Sequence, residues 1–157
     1  MKLYIYALPR LLVEVKGRLV LSGSFVINTN KEILLLYRKD HKYYETPGGK
    51  VQASECASPK HPSLEDLRKT AERELYEELG IQISVSSLEY FDHIEFDLLD
   101  GRKAIAHKFI TKFISGTPHL QEPELFEKFS WIALDQLDKY PLSPDLKLLL
   151  PKLQGLF

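Results

Sequence analysis

The chain has 157 residues, 44% of them hydrophobic, which is the size and composition of one domain with a core, and we expect a single domain over residues 1–157. Lysine plus arginine total 21 against 22 for aspartate plus glutamate, so no net field points to nucleic acid or an anionic membrane as a partner. The single cysteine, Cys56, excludes an internal disulfide and a thiolate metal site, in keeping with a reducing, cytoplasmic setting.

The opening MKLYIYALPRLL is an apolar run broken by Pro9 and Arg10, too short for a secretory signal or a membrane span. LLVEVKGRLVL reads as two strands around a Lys16-Gly17 turn, and GSFVINTNKEILLLYRK as two apolar runs joined at Asn28 to Lys31, so both predict hairpins feeding one sheet. A helix is expected from Leu64 to Leu79: Ser63 caps it, Glu65 and Asp66 suit its first turn, and Gly80 suits its end. Its apolar stripe is Leu64, Leu67, Ala71, Leu75 and Leu79. LEYFDHIEFDLLDGRKAIAHKFITKFI predicts a further hairpin turning at Asp100-Gly101, with alternation through Ile105, His107, Phe109, Thr111 and Phe113. FSWIAL is one more strand. A last helix begins with Ser143 as cap and Pro144 in its first position, turns Leu146, Leu149 and Leu150 inward, and ends at Pro151. Such elements make an α/β sandwich around a mixed sheet.

Within the first helix, Glu74, Glu77 and Glu78 stand three and four residues apart and share one face, while Arg73 leaves on another side. At ~100° per residue, Glu78 falls about 20° from Ala71, inside the apolar stripe and therefore at the edge of the core. A merely solvated face does not explain that position. Half-buried carboxylates ~6 Å apart repel by roughly 3 kcal/mol per pair at an effective dielectric of ~20, so a positive charge belongs among them. Lysine or arginine meets that need, and so does Mg2+ or Mn2+, which prefer compact oxygen ligands completed by substrate phosphates. Upstream, TPGGK (46–50) is a turn whose glycines allow close backbone approach to an ion or phosphate.

These residues resemble the Nudix hydrolases. That family's signature is a glycine, five residues, a glutamate, seven residues, then Arg-Glu-aliphatic-any-Glu-Glu-any-Gly-aliphatic. Gly49 and Glu55 match the first part, and RELYEELGI, from Arg73 to Ile81, matches the second at every fixed position. Between Glu55 and Arg73 this chain has 17 residues, an insertion of ten, and Pro59 and Pro62 make it a loop ahead of the helix. The insertion leaves the placement of Glu55 open. Its Lys60 and His61 read either as phosphate contacts or as plain surface.

The resemblance implies a Nudix α/β/α sandwich with a mixed β-sheet and metal-dependent hydrolysis of a nucleoside diphosphate linked to another group. Carried over by position, Glu74, Glu77 and Glu78 are expected as metal ligands together with the Gly48 carbonyl, Glu77 also in catalysis, and Arg73 as the group that orients the glutamates. For the proton acceptor, QEPELFEKFSW offers Glu122, then Glu124, with Glu127 further on. Arg38, Gly49 and Lys50 are the candidate substrate contacts, and Tyr44, Tyr90, Phe91 or Phe126 the candidate faces for a base. The expected partner is a small-molecule nucleotide, a nucleoside triphosphate before ADP-ribose or a dinucleoside polyphosphate, with the protein a monomer or homodimer. A module that binds nucleotide without turnover is the rival reading.

Overall fold

A computed structural model describes residues 11–157. The N-terminal apolar run read above lies, for residues 1–10, outside the described residues. The strands are β1 (Glu14–Val15), β2 (Arg18–Ile27), β3 (Glu32–Arg38), β4 (Tyr43–Glu45), β5 (Gly48–Lys50), β6 (Ser84–Val85), β7 (Glu89–Asp97), β8 (Lys103–Ser115) and β9 (Phe126–Ala133). Two helices, α1 (Leu64–Leu79) and α2 (Pro144–Gln154), join them, with 3-10 turns at Ala53–Glu55 and Leu134–Lys139.

The sheet is mixed. Strand β2 runs parallel to β8 over nine registered pairs and antiparallel to β5, while β7 and β8 form the expected hairpin. The β2–β3 hairpin splays apart: the two strands share only the pair Ile27 and Ile33, and β3 pairs instead with β4 and β9. Its apolar run is continuous because both faces are covered. Ile33 and Leu35 pack with Phe25, Leu146, Leu149 and Leu153 of α2, and Leu34 and Leu36 pack with Leu75 and Leu79 of α1. The two helices therefore close opposite faces, and the fold is the expected α/β/α sandwich around a mixed sheet.

Helix α1 has the expected bounds. Ser63 Oγ accepts the Asp66 N–H at 3.1 Å and the Asp66 carboxylate accepts the Ser63 N–H at 3.0 Å, a reciprocal cap. Gly80 ends it at φ 86°, in the left-handed region. One expectation about a helix face and one about a helix end fail. Leu64 is 58% exposed, because in the first position it precedes the turn that meets the sheet. Pro151 does not end α2; the helix runs on to Gln154, where burial of Leu153 offsets the hydrogen bond that proline cannot donate. The Ser143 side chain makes no cap hydrogen bond. In β8 the alternation named above covers only one face, and the other is buried as well through Ala104, Ala106 and Lys108. No helix among the described residues is long and apolar enough to cross a membrane.

Candidate active site

Helix α1 lies against β5, and the glutamates grade from core to solvent across its face: Glu78 is 3% exposed, Glu74 is half-buried and Glu77 is exposed. The expected position of Glu78 at the core edge is the observed one. Its Oε1 accepts the Gly48 N–H at 2.8 Å. In a strand one residue's N–H and C=O point the same way, so the Gly48 carbonyl also faces away from β2, toward the helix side. Glu74 lies directly over Gly49, and a Cβ there would stand 2.4 Å from its Oε1. Glycine at 49 is thus the seat of a carboxylate.

Arg73 curls back over this face, although its angle on the helix points it elsewhere. Its Nε and Nη2 grip Glu55 at 2.7 and 3.0 Å, and its Nη1 reaches Glu74 at 3.0 Å and Glu77 at 2.9 Å. The segment between Glu55 and the helix forms a loop that Arg73 and Glu55 bridge, and Lys60 and His61 are exposed on it, away from these contacts. Burial alone would raise the Glu55 carboxyl, but the hydrogen bonds from Arg73 outweigh it and hold Glu55 below the usual range. The opposite holds for its neighbours. Burial, then the charge of Glu74, pushes Glu78 well above the ordinary carboxylate value, and burial raises Glu74 despite Arg73.

The loop between β8 and β9 delivers Glu122. It docks on the end of α1, where His119 and Gln121 donate their N–H groups to the carbonyls of Leu79 and Glu78 at 2.9 and 3.1 Å. Glu122 is half-buried, and burial followed by the charges of Glu124 and Glu77 raises its carboxyl. Glu124 and Glu127 point into solvent.

Among the described residues, no three His, Cys, Asp or Glu side chains converge tightly enough to hold a metal ion, because Glu74 and Glu77 are turned to Arg73. The donor set nevertheless suits a hard divalent cation. Each of Glu74, Glu77 and Glu78 keeps one oxygen without a hydrogen-bond partner among the described residues, and the raised carboxyls of Glu74 and Glu78 mark too little positive charge beside them.

On the other side of β5 opens a cleft of about 550 Å3. Lys50, Arg38, His41 and Tyr43 line it, with Phe96, Leu98 and Leu99 of the β7–β8 hairpin as an apolar wall. Arg38 is held by Asp40 and Glu45 at 3.2 and 3.1 Å and lies over the Phe126 ring. The floor is an ion pair that the sequence reading missed: Lys108 Nζ donates to Asp145 at 2.8 Å and to Thr46 at 2.7 Å. A lysine in step with Ala104 and Ala106 on a central strand was the available signal. Of the aromatic candidates, Tyr44 and Phe126 are buried and Phe91 packs edge-on to Phe25, so they belong to the core, and Tyr90 lies with His93 and His107 outside the cleft.

Comparison with known proteins agrees with this geometry. The profile described as NUDIX domain matches residues 18–153. Comparison with curated proteins finds no match. Among solved structures, a MutT NUDIX hydrolase from Burkholderia pseudomallei is 27% identical with a TM-score of 0.69, over 87% of this chain and 98% of that one. The NUDIX domain of Shewanella oneidensis NrtR, solved with ADP ribose, is 17% identical with a TM-score of 0.65 over 90% of each chain. An Ap4A hydrolase from C. elegans is 19% identical with a TM-score of 0.65, over 88% of this chain and 96% of that one. At these last two identities the likeness is one of fold. The match over nearly the whole chain, with the glutamate helix and its arginine in place, makes this protein a member of the Nudix hydrolase family, enzymes that cleave nucleoside diphosphate linkages.

Proposed function

We propose that this enzyme is a Mg2+-dependent pyrophosphohydrolase, able to use Mn2+, whose leading substrate class is a nucleoside triphosphate. The observation that carries the reading is the Glu78 carboxylate, 3% exposed, bonded to Gly48 and crowded by Glu74, with no basic side chain among the described residues paired to it. Burying such a charge is costly unless a counter-ion meets it. Glu74, Glu77, Glu78 and the Gly48 carbonyl are the ligands in this reading. A bound divalent ion supplies neutralisation of phosphate oxygens and a more acidic water.

The chain's own residues do the rest. Arg73 holds Glu55, Glu74 and Glu77 together and leaves one oxygen each of Glu74 and Glu77 free, which would hold the ion. Glu122, half-buried with a raised carboxyl, accepts the proton of the attacking water, and Glu124 is the second choice. Lys50 stands at the cleft wall beside Gly49 as the phosphate contact, since the guanidinium of Arg38 is already engaged.

The test is a panel of nucleoside triphosphates, ADP-ribose and dinucleoside polyphosphates with Mg2+, with product identification, for wild type and Glu78→Gln. We expect nucleoside monophosphate plus pyrophosphate from a triphosphate, and a loss of about 10²-fold or more in the variant. Equal rates in the two proteins would overturn the reading, and turnover confined to another substrate would reassign the class.

A further inference from the structure

The β7–β8 hairpin gathers donor atoms well away from the glutamates. His93 and His107 are paired in register, so their side chains leave the same face of the sheet with Cβ atoms ~5 Å apart. Their ring centroids lie 5.8 Å apart. Both rings turn Nδ1 to one point, the Tyr90 hydroxyl, 3.3 Å from His93 and 3.0 Å from His107. A single phenol proton serves only one imidazole acceptor, so the other ring must donate its own N–H to the phenol oxygen. Of the nearby acids, Glu95 pairs with Arg18 at 3.3 Å, and Asp92 gives Oδ2 to Lys152 at 2.7 Å while its Oδ1 accepts the His93 backbone N–H at 2.8 Å and lies 3.8 Å from His93 Nδ1.

One register row crosses the sheet here, with Gly49 opposite Ser22, Ser22 opposite His107, and His107 opposite His93. Neighbouring strands lie ~4.8 Å apart, which puts the histidines ~10–14 Å from Gly49 and the glutamate above it. The two groups share a face of the sheet and no ligands.

We propose that Tyr90, His93 and His107 form a binding site for a borderline divalent transition ion, with Zn2+ as the probe, distinct from the site on α1. Imidazole nitrogens favour Zn2+, Cu2+ and Ni2+, whereas Mg2+ favours oxygens, so the two sites differ in the ion they take. The ion takes the place of both protons at the point where the three heteroatoms meet: the phenol proton leaves to solvent, and the ring that donates from Nδ1 shifts to its Nε2–H tautomer, so that both Nδ1 lone pairs face the ion. Both Nδ1 atoms must close to ~2.0–2.1 Å from it. His93, with its side chain 53% exposed, has room to rotate inward, and water completes the shell from the open side. Such an ion staples the two strands whose connecting turn carries Leu98 and Leu99, the apolar wall of the cleft.

The test titrates the metal-stripped full chain with Zn2+ by calorimetry in excess Mg2+, for wild type, Glu78→Gln, His93→Gln and His107→Gln, each checked for native circular dichroism. Wild type and Glu78→Gln should bind a single Zn2+ with equal affinity, while either histidine variant binds at least ~10-fold more weakly, since even an outer-shell loss costs that much. Substituting Co2+ should give visible absorption in wild type that either histidine variant lacks. No saturable Zn2+ binding, equal binding in wild type and both histidine variants, or loss of binding in Glu78→Gln would each overturn the proposal. Because Glu78→Gln also disables the hydrolysis proposed above, failure of one idea leaves the other standing.

Discussion

Two adjacent glycines of β5 separate what the site needs from what the fold needs. At Gly49 the nearest atoms that an added methyl meets are those of the Glu74 carboxylate, at 2.4–2.8 Å, the far end of a flexible side chain. Gly49→Ala should therefore keep the fold, shifting stability by less than ~1 kcal/mol, while pushing Glu74 aside and lowering Mg2+-dependent turnover by about tenfold or more. At Gly48 the same methyl meets backbone, the Gly23 Cα at 2.7 Å and the Ser22 oxygen at 2.8 Å. Gly48→Ala should lose ~1–3 kcal/mol or more, because a paired strand cannot give way. Urea midpoints and initial rates for both variants distinguish the cases, and equal midpoints would contradict this division. Arg73 makes a similar point about long side chains. A helical wheel places its Cβ, but four rotatable bonds decide that its guanidinium meets Glu55, Glu74 and Glu77 together.

Helix α1 follows its local signals at both ends, whereas packing overrules a local signal at one end of α2. The cap of α1 is written in Ser63 and Asp66 and forms as expected. In α2 the local stop at Pro151 is overridden: Gly155 still donates to the Pro151 carbonyl at 3.1 Å and Leu153 is fully buried. The unmade bond is to the Lys147 carbonyl, one turn back. Proline is ~3 kcal/mol worse than alanine in a helix interior, and its restriction of the unfolded chain returns ~1 kcal/mol, so Pro151→Ala should gain about 2 kcal/mol. Chemical denaturation checks this, and unchanged or reduced stability would show that the helix has already relaxed around the proline. The loop of Glu122 depends on α1 in turn, since its His119 and Gln121 amides satisfy the last carbonyls of that helix.

At the scale of the molecule, Glu45 of the cleft adds its charge to the burial and the Glu74 charge that raise Glu78. Glu45 sits by Arg38 and the Lys108–Asp145 pair, and burial pushes its carboxyl up to about 7 even with Arg38 as partner. A carboxyl raised on folding stabilises the fold in its protonated form. That contribution is complete below the ordinary value of 4.5 and is lost as the pH rises through about 7. Glu45→Gln should therefore flatten the decline in stability across this window, measured as urea midpoint against pH; an unchanged slope would assign the decline to other groups. Lys108 and Asp145 are 37 positions apart, and no periodicity links them. Nor does a pattern in β3 tell that it leaves β2 for β9, since a strand buried on both faces reads as one apolar run whichever neighbours it has. Capping residues, the helical spacing of Glu74, Glu77 and Glu78, and the angle that puts Glu78 at the core edge are short-range chemistry, and they were readable along the chain. The cleft, its buried ion pair and the grip of Arg73 on Glu55 across the insertion came from the folded molecule alone, because contacts between distant segments depend on which faces meet, and local spacing carries no record of that.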